Sequence, residues 1–173
     1  MQIRSAPPRT LNLPAILEAS RRLVDTEGLS ALTLRRVAHE VNTGQASLYR
    51  HIVDRDELLQ LLVDGFADSY PLASSRGAIE QRLIRQWRLT RDHLAAHRWV
   101  VRIAAEGRVR AFGSDALGKH NRALLAEAGL AAAQVSKAER ALWNLTVGDL
   151  LDANQQQSDY NWALTRLVRG LLA

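Results

Sequence analysis

Apolar residues recur every three or four positions along most of this chain, and that spacing predicts helices. The first helix is expected over residues 12–26, where Asn12 or Thr10 can cap the first turn and Pro14 is tolerated. Gly28 ends this helix, because glycine readily adopts the left-handed conformation that follows many helices. The fold class that these patterns predict is all-α.

Two short helices joined by a tight turn are predicted in the stretch 32–51. The first covers residues 33–40 with Thr33 as its N-cap, and residues 42–44 (Asn-Thr-Gly) form a turn in which Asn and Gly tolerate positive φ. The second helix begins with small or hydrogen-bonding side chains: Gln45, Ala46 and Ser47. Such a surface suits insertion into the major groove of DNA. The alternative is an ordinary helical hairpin packed in a core.

The next helix follows Val53 and carries a strong apolar stripe as far as Phe66, and Tyr70-Pro71 stops it. Residues 72–77 form the clearest linker. Further helices are predicted over 78–96, 99–105, 115–128, 136–153 and 159–172, with a loop at 106–114. The expected organisation is a flexible basic arm (1–11), a three-helix head (12–66) and a helical C-terminal domain (67–173), which the helix after Val53 links to the head.

The last two predicted helices carry more apolar residues than one buried face requires. Helix 136–153 has apolar side chains on more than one stripe, and helix 159–172 is also rich in them. A helix that is apolar nearly all round is buried on two sides. The pattern therefore predicts a homodimer in which these helices form a four-helix interface across a two-fold axis. The alternative is that both helices only close the core of their own monomer.

Composition excludes several classes of protein. The chain has no cysteine, so disulfides and thiolate chemistry are excluded. No apolar run approaches the roughly 18 residues that span a bilayer, and the N-terminus lacks the apolar segment of a signal peptide. A cytoplasmic protein with no membrane partner is expected.

Catalytic and metal-binding motifs are absent from the sequence. It has no glycine-rich phosphate loop and no elbow motif around a serine, so neither an enzyme nor a cofactor is expected. His93 and His97 have the i, i+4 spacing that can chelate a metal. Because no cysteine and no recognisable third ligand accompany them, no metal site is predicted.

The net charge of +5 is distributed unevenly. Residues 1–68 hold eight Arg and nine acidic residues, whereas residues 69–173 hold fifteen basic and nine acidic ones. The overall charge therefore gives no support for DNA binding through the head. Local charge does, because residues 33–55 contain four Arg against Glu40 and Asp54.

A longer pattern runs through Leu29…Leu32-Thr33…Arg35…Val37-Ala38…Val41 and then Ala46-Ser47-Leu48-Tyr49-Arg50-His51-Ile52…Arg55…Leu58-Leu59. With these residues, the chain resembles the DNA-binding head of TetR-family transcriptional regulators. Segments of the second half, among them Ala96-His97-Arg98-Trp99, are similar to the ligand-binding half of the subgroup nearest the tetracycline repressor. The chain departs from the family at residues 42–44, where Gly-Val-Ser is usual, and at Ile52 and Arg55, where Phe and Lys are usual.

The resemblance implies a ligand-responsive transcriptional regulator, most often a repressor, that binds a pseudo-palindromic operator as a homodimer and is released by a small-molecule effector. It places Arg35 and Gln45 at base-contacting positions, with Ala46 beside them in the recognition helix. It places further residues at phosphate-contacting or helix-orienting positions: Thr33, Ser47, Tyr49, His51 and Arg55. Arg36 and Arg50 are peripheral phosphate contacts or solvated surface. A dimeric ligand-binding or protein-interaction module without a specific operator is the alternative function.

The resemblance also implies an effector site in the second half, formed by mostly apolar side chains with a few polar anchors. By their spacing, the candidates are Trp87, Arg91, Trp99, Phe112, Trp143, Asn144 and Val147. Plain core packing is the alternative for each aromatic residue. Arg91 and Asn144 are the informative ones, since a buried polar group requires a partner.

Overall fold

The computed structural model describes residues 11–106, 116–152 and 156–173. In these residues the chain is helical, with a short 3₁₀ turn at Leu29–Ala31. The α-helices are α1 (Leu13–Glu27), α2 (Leu34–Glu40), α3 (Gln45–Leu48), α4 (Arg55–Ala67), α5 (Ile79–Ala96), α6 (Arg98–Ala105), α7 (Ala116–Glu127), α8 (Ala132–Leu151) and α9 (Gln157–Leu172). The prediction of an all-α protein is confirmed. In the described part of the chain, no helix has the length and apolar character needed to cross a membrane.

The packing divides the chain after Leu62 into two compact units. Unit 1 contains α1–α3 and the first half of α4, and unit 2 contains everything from Val63 onwards. The expected loop around Phe112 lies outside the described residues for the most part.

Side-chain caps determine where the helices of unit 1 begin. The Asn12 side chain accepts a hydrogen bond of 2.9 Å from the backbone of Ala15 at the start of α1. Thr33 does the same for Arg36 at the start of α2, at 3.1 Å. Gly28, with φ +82°, ends α1. The apolar faces then meet in a core formed chiefly by Ile16, Leu23, Leu32, Val37, Leu48, Ile52 and Leu58.

The predicted turn joins α2 and α3, and one of the two residues that tolerate positive φ adopts it. Asn42 has φ +55° and takes the left-handed conformation. Gly44 does not, because its φ of −77° and ψ of +147° are those of an extended N-cap residue. Asn42 alone reverses the chain, and Gly44 leaves α3 without a side-chain cap.

Helix α5 is central to unit 2, where it packs against α6, α7, α8 and α9. Its apolar side meets those of α7, α8 and α9 in one core: Leu83, Trp87, Leu124, Leu125, Val135, Ala138, Leu142, Tyr160, Leu164 and Val168. Helix α8 begins at Ala132, one turn before the predicted start at residue 136. The reason is that Gln134 caps the backbone N–H of Ala131 at 2.9 Å and two alanines with high helix propensity precede it.

This core also encloses polar groups. The Arg91 Nε donates to the Asp149 carboxylate at 2.8 Å, and the Arg91 guanidinium lies 5.2 Å from the centre of the Tyr160 ring. The Tyr160 hydroxyl contacts Thr146 Oγ1 at 2.9 Å and donates to the Trp87 carbonyl at 3.1 Å. Burial raises the pKa of Tyr160 to about 12.

The predicted linker is attached to α5 through the Gln86 side chain. The Gln86 Oε1 accepts from the Ala73 backbone at 2.7 Å, and its Nε2 donates to the Pro71 carbonyl at 3.1 Å. Gln86 is fully buried. Residues 71–73 are therefore held against α5.

Candidate nucleic-acid interface

The helix pair α2–α3 has one apolar side and one polar side. Val37, Ala38 and Leu48 are buried, and residues at the interleaved positions are exposed: Thr33, Arg35, Gln45, Ala46, Tyr49, Arg50 and His51. Of the predicted DNA-contacting set, only Arg36, Ser47 and Arg55 are half-buried. Because Leu48 is held in the core, the first turn of α3 has a fixed orientation with Gln45 and Ala46 facing outwards.

The two predicted base-contacting residues differ in their surroundings. Arg35 is exposed, and its guanidinium has no hydrogen-bond or ion-pair partner in the described part of the chain. The Gln45 Nε2 donates to the Tyr49 hydroxyl at 3.3 Å, which is a long and therefore weak bond. Both side chains can turn towards a ligand without breaking a strong contact.

Arg55 joins two parts of the head. Its Nε donates to the Leu32 carbonyl at 2.7 Å and its Nη2 to the Leu29 carbonyl at 3.2 Å. A guanidinium reaches both carbonyls at once because its donors form a planar fork, which an ammonium group lacks. Arg55 therefore holds the entry to α2 against the start of α4, an interaction that spacing alone did not reveal.

Arg36 and Arg50 are held by neighbouring side chains. Arg36 forms ion pairs with Glu27 at 2.8 Å and with Glu40 at 3.1 Å. The hydrogen bond with Glu27 is the main reason that the pKa of Arg36 is raised. Arg50 donates to Ser47 Oγ at a distance of 3.4 Å. The charge of Arg36 is therefore balanced within the head, whereas that of Arg35 is not.

The predicted effector residues differ in their surroundings. Trp87 lies in the core, and its Nε1 has no hydrogen-bond partner among the described residues. Arg91 is buried against Asp149, and Trp99 is buried in a cluster of rings. Trp143 and Val147 are half-buried and Asn144 is exposed. Of the two polar residues whose burial would be informative, only Arg91 is buried. Phe112 is outside the described residues.

The ring cluster consists of Phe66, Tyr70, His93, His97 and Trp99, from the end of α4, α5 and the start of α6. His93 stacks on Phe66 with ring centres 4.7 Å apart, and His97 lies 5.2 Å from His93. Sequence analysis found Trp99 and the spacing of the two histidines. It missed Phe66 and Tyr70, because residues of separate helices share no spacing signal.

The hydrogen-bond pattern determines the tautomer of His93. The Ser69 hydroxyl donates its one hydrogen to the Phe66 carbonyl at 2.7 Å, and its oxygen lies 3.1 Å from His93 Nε2. Nε2 must therefore donate, so in the neutral ring it carries the hydrogen and Nδ1 accepts the next proton. Burial, and then the charge of His97, lower the pKa of His93. In the described residues, no group of three or more potential metal ligands comes together.

The head of the chain is similar to known regulatory proteins. Residues 16–62 match the model of bacterial regulatory proteins of the tetR family. The repressor DrrR1 of Streptomyces coeruleorubidus is 47% identical over 58 residues, which are 34% of this chain and 22% of DrrR1. The chain thus spans about a fifth of the length of this relative.

Solved structures extend the similarity beyond the head. Apo ActR from Streptomyces coelicolor matches with a TM-score of 0.78 and 25% identity over 97% of both chains. BioQ, crystallised with its natural double-stranded DNA operator, matches with a TM-score of 0.77 and 25% identity over 95% of this chain and 99% of BioQ. The head of the chain therefore matches the TetR family, and the fold of nearly the whole chain is similar to those of ActR and BioQ.

Proposed function

We propose that this protein is a ligand-responsive transcriptional regulator that binds operator DNA through α2 and α3. The observation that carries the proposal is the polar face of that helix pair, where Arg35, Gln45 and Tyr49 are exposed above a fully buried Leu48. The similarity to BioQ, which was crystallised on its operator, supports the same use of this head.

In the proposed complex, Arg35 and Gln45 read base edges. A guanidinium can donate two hydrogen bonds to guanine O6 and N7, and an amide can pair with adenine N6 and N7. The side chains of Thr33, Ser47, Tyr49 and His51 contact phosphates and set the register of α3. Such phosphate contacts carry no sequence information directly. Arg55 acts mainly as a positioning residue, because two of its nitrogens already hold backbone carbonyls.

Selection of bound sites from random double-stranded DNA tests this proposal. We expect a pseudo-palindromic site, and Arg35→Ala or Gln45→Ala should weaken binding to it by roughly 1–3 kcal/mol and relax the preference at one base pair. Arg98→Ala is the matched control, because Arg98 is an exposed arginine of unit 2. If no sequence is enriched at moderate salt, the alternative of a helical module without an operator gains support. If Arg35→Ala binds the selected site as the parent does, the assignment of Arg35 is wrong.

The regulator is proposed to act as a homodimer through the outward faces of α8 and α9. Trp162 on α9 is 66% exposed and Leu151 on α8 is 50% exposed. Gly148 and Gly170 lie on the same outward faces, and a methyl group added to either meets no atom within 4 Å. Gly148 lies inside α8, where glycine costs about 1 kcal/mol relative to alanine, a cost that packing within the described residues does not explain. Close approach of a second copy of the chain explains it.

Sedimentation of Gly148→Leu and Gly170→Leu tests the dimer. We expect both variants to dissociate at concentrations where the parent stays dimeric, because the larger side chains separate the two helices from their partners. Gly65→Leu is the control, since Gly65 is also a helical glycine with open space around it. If the parent is monomeric, or if both variants remain as dimeric as the parent, this interface is excluded.

The proposal includes repression in the cytoplasm, relief by a small-molecule effector and no catalytic activity. ActR has been crystallised with actinorhodin, which shows that a similar fold accommodates an organic ligand. Effector binding shifts the population towards a conformation that does not fit the operator, by no more than the difference in affinity for the two states. A compound screen for release of the selected DNA would find such an effector.

Turnover of the compounds that bind would contradict the non-enzymatic assignment.

A further inference from the structure

Four arginines recur at every third position of α5: Arg82, Arg85, Arg88 and Arg91. The first and last form ion pairs within unit 2, Arg82 with Glu127 and Arg91 with Asp149. Arg85 and Arg88, the two middle residues, have no carboxylate partner among the residues that the structure describes. The charges of these two arginines therefore have no counter-ion in the described part of the chain.

Both middle arginines line a groove of about 550 Å³ between α5 and α9. The other residues around it are Ala78, Glu80, Gln81, Ile84, Thr165 and Arg169. Arg169 donates to the Glu80 carboxylate at 2.8 Å, so that pair is neutral. The charges of Arg85 and Arg88 remain, and the groove is positive overall.

Arg85 is held in place from one side. Its Nη1 donates to the carbonyls of Ser74 and Arg76, at 3.3 and 3.2 Å, which leaves Nε and Nη2 free to bind a ligand. Gly77 makes room for this arrangement, since an added methyl group would lie 3.2 Å from Gln81 Oε1 and 3.9 Å from Arg85 Nη2. Gly77 also has φ +100°, which other residues rarely adopt.

The N-terminus of α5 adds a further positive contribution. The helix has 18 residues, and its N-cap residue, Ala78, offers no side chain to the first-turn N–H groups. The positive end of the helix dipole therefore faces the region of Ala78, Glu80 and Gln81, which border the groove. The Gln81 amide is exposed and can donate as well. Thr165 only bounds the groove, because its hydroxyl hydrogen is donated to the Asn161 carbonyl.

We propose that this groove binds a small organic polyanion with at least two negative charges, a phosphate ester or a polycarboxylate. Its volume suits a small molecule rather than a helix or a nucleic-acid duplex. Two guanidiniums with free donors match the oxygen atoms of such a ligand. Thr165 and Arg169 follow Trp162 by three and seven residues along α9, so the groove borders the face of α9 that is assigned to the dimer.

Calorimetric titration of the full chain at low salt tests the proposal, with pyrophosphate and citrate as probes and acetate as the monoanionic control. We expect saturable binding of at least one polyanion and none of acetate. Arg85→Gln and Arg88→Gln should each weaken binding roughly tenfold, the effect of removing a charge-assisted hydrogen bond. Arg98→Gln, which removes an exposed arginine of α6, should leave it unchanged.

The two probes distinguish the sources of the ligand. Tighter binding of pyrophosphate would assign the groove to phosphate esters, and tighter binding of citrate would assign it to polycarboxylates. The proposal is overturned if neither probe saturates, or if Arg98→Gln weakens binding as much as Arg88→Gln. Thermal melting followed by circular dichroism confirms that each variant is folded. Arg88→Gln should keep the melting temperature of the parent, whereas Arg85→Gln should lower it slightly, because it loses the hydrogen bonds to the Ser74 and Arg76 carbonyls.

Discussion

The interiors of the two units differ in how much polarity they enclose. In the described part of unit 1, Ser20 is the one buried polar residue besides the tightly packed apolar side chains. Unit 2 buries Gln86, Thr90, Arg91, Asn121 and Thr146, together with the hydroxyl of Tyr160. An apolar core does not respond to pH, whereas a buried polar network stabilises the fold only while every polar group keeps its partner. The interior of unit 1 therefore depends mainly on apolar packing, and that of unit 2 depends on hydrogen bonds and an ion pair as well.

The largest effect on stability is expected for Arg91→Leu in unit 2. It leaves the Asp149 carboxylate buried without its cation, and we expect a loss of about 3–5 kcal/mol in the free energy of unfolding of unit 2. Urea unfolding followed by tryptophan fluorescence measures it, because all four tryptophans lie in unit 2. The double variant Arg91→Leu/Asp149→Leu should regain most of the loss. Arg36→Leu in the head should cost less than about 1 kcal/mol, since the Arg36 side chain is 39% exposed. This variant is followed by circular dichroism, because unit 1 has no tryptophan. Equal losses in the two single variants would refute the comparison.

Tyr160→Phe should lower the stability of unit 2 by about 1–2 kcal/mol, because it removes the hydroxyl from a buried hydrogen-bond network. It should also remove a pH dependence. The pKa of Tyr160 is about 12 in the folded chain, against 10.0 in the unfolded chain. The stability it contributes is therefore complete below pH 10 and is lost as the pH rises towards 12. Parent and variant profiles that are parallel over that range would contradict this assignment.

A smaller effect of pH on stability is expected from His93, on the acidic side of neutrality. Its pKa is lowered in the folded protein, so the unfolded chain takes up a proton first. Stability should be complete above pH 6.5 and fall as the pH drops through that value towards the lower pKa of the folded state. Thermal melting between pH 7.5 and 5.5 should show a shallower slope for His93→Gln than for the parent. His39→Gln, an exposed histidine of the head, should keep the parent slope.

The smallest effects are expected at the turn between α2 and α3. Asn42→Ala should destabilise the head by about 1 kcal/mol because alanine is strained at φ +55°. Gly44→Ser should stabilise it by a few tenths of a kcal/mol, since serine supplies the side-chain cap that α3 lacks. Helix content during urea unfolding reports both. A destabilising Gly44→Ser would show that this turn needs glycine for a reason other than its backbone.

Local signals explain why most of the fold was predictable. Asn12 and Thr33 act as caps through hydrogen bonds that span three residues, and the apolar spacing identified the buried faces of α1, α2, α5 and α9. The start of α8 was placed one turn too late, because a side-chain cap by Gln134 and alanine propensity act before residue 136. In the turn 42–44, the sequence allowed positive φ at both Asn42 and Gly44, and only Asn42 adopts it.

The remaining features depend on groups that are distant in sequence. Arg91 and Asp149 are 58 residues apart, and Tyr160 is 73 residues from the Trp87 carbonyl that it contacts. Arg55 matches a phosphate-contacting or helix-orienting position of the family, and it binds carbonyls 23 and 26 residues away. The repeated arginines of α5 can be seen in the sequence. The fold determines which of them form ion pairs with carboxylates.

The attachment of the linker to α5 by Gln86 has a consequence for the conditions under which unit 2 holds together. The Arg169–Glu80 ion pair and other exposed ion pairs between helices weaken as ionic strength rises, because counter-ions screen them. The Gln86 amide is uncharged, buried and without a titratable proton, so neither salt nor pH within the physiological range weakens its bonds to Pro71 and Ala73. The connection between α4 and α5 is thus held by hydrogen bonds whose strength does not depend on the ionic strength of the solution.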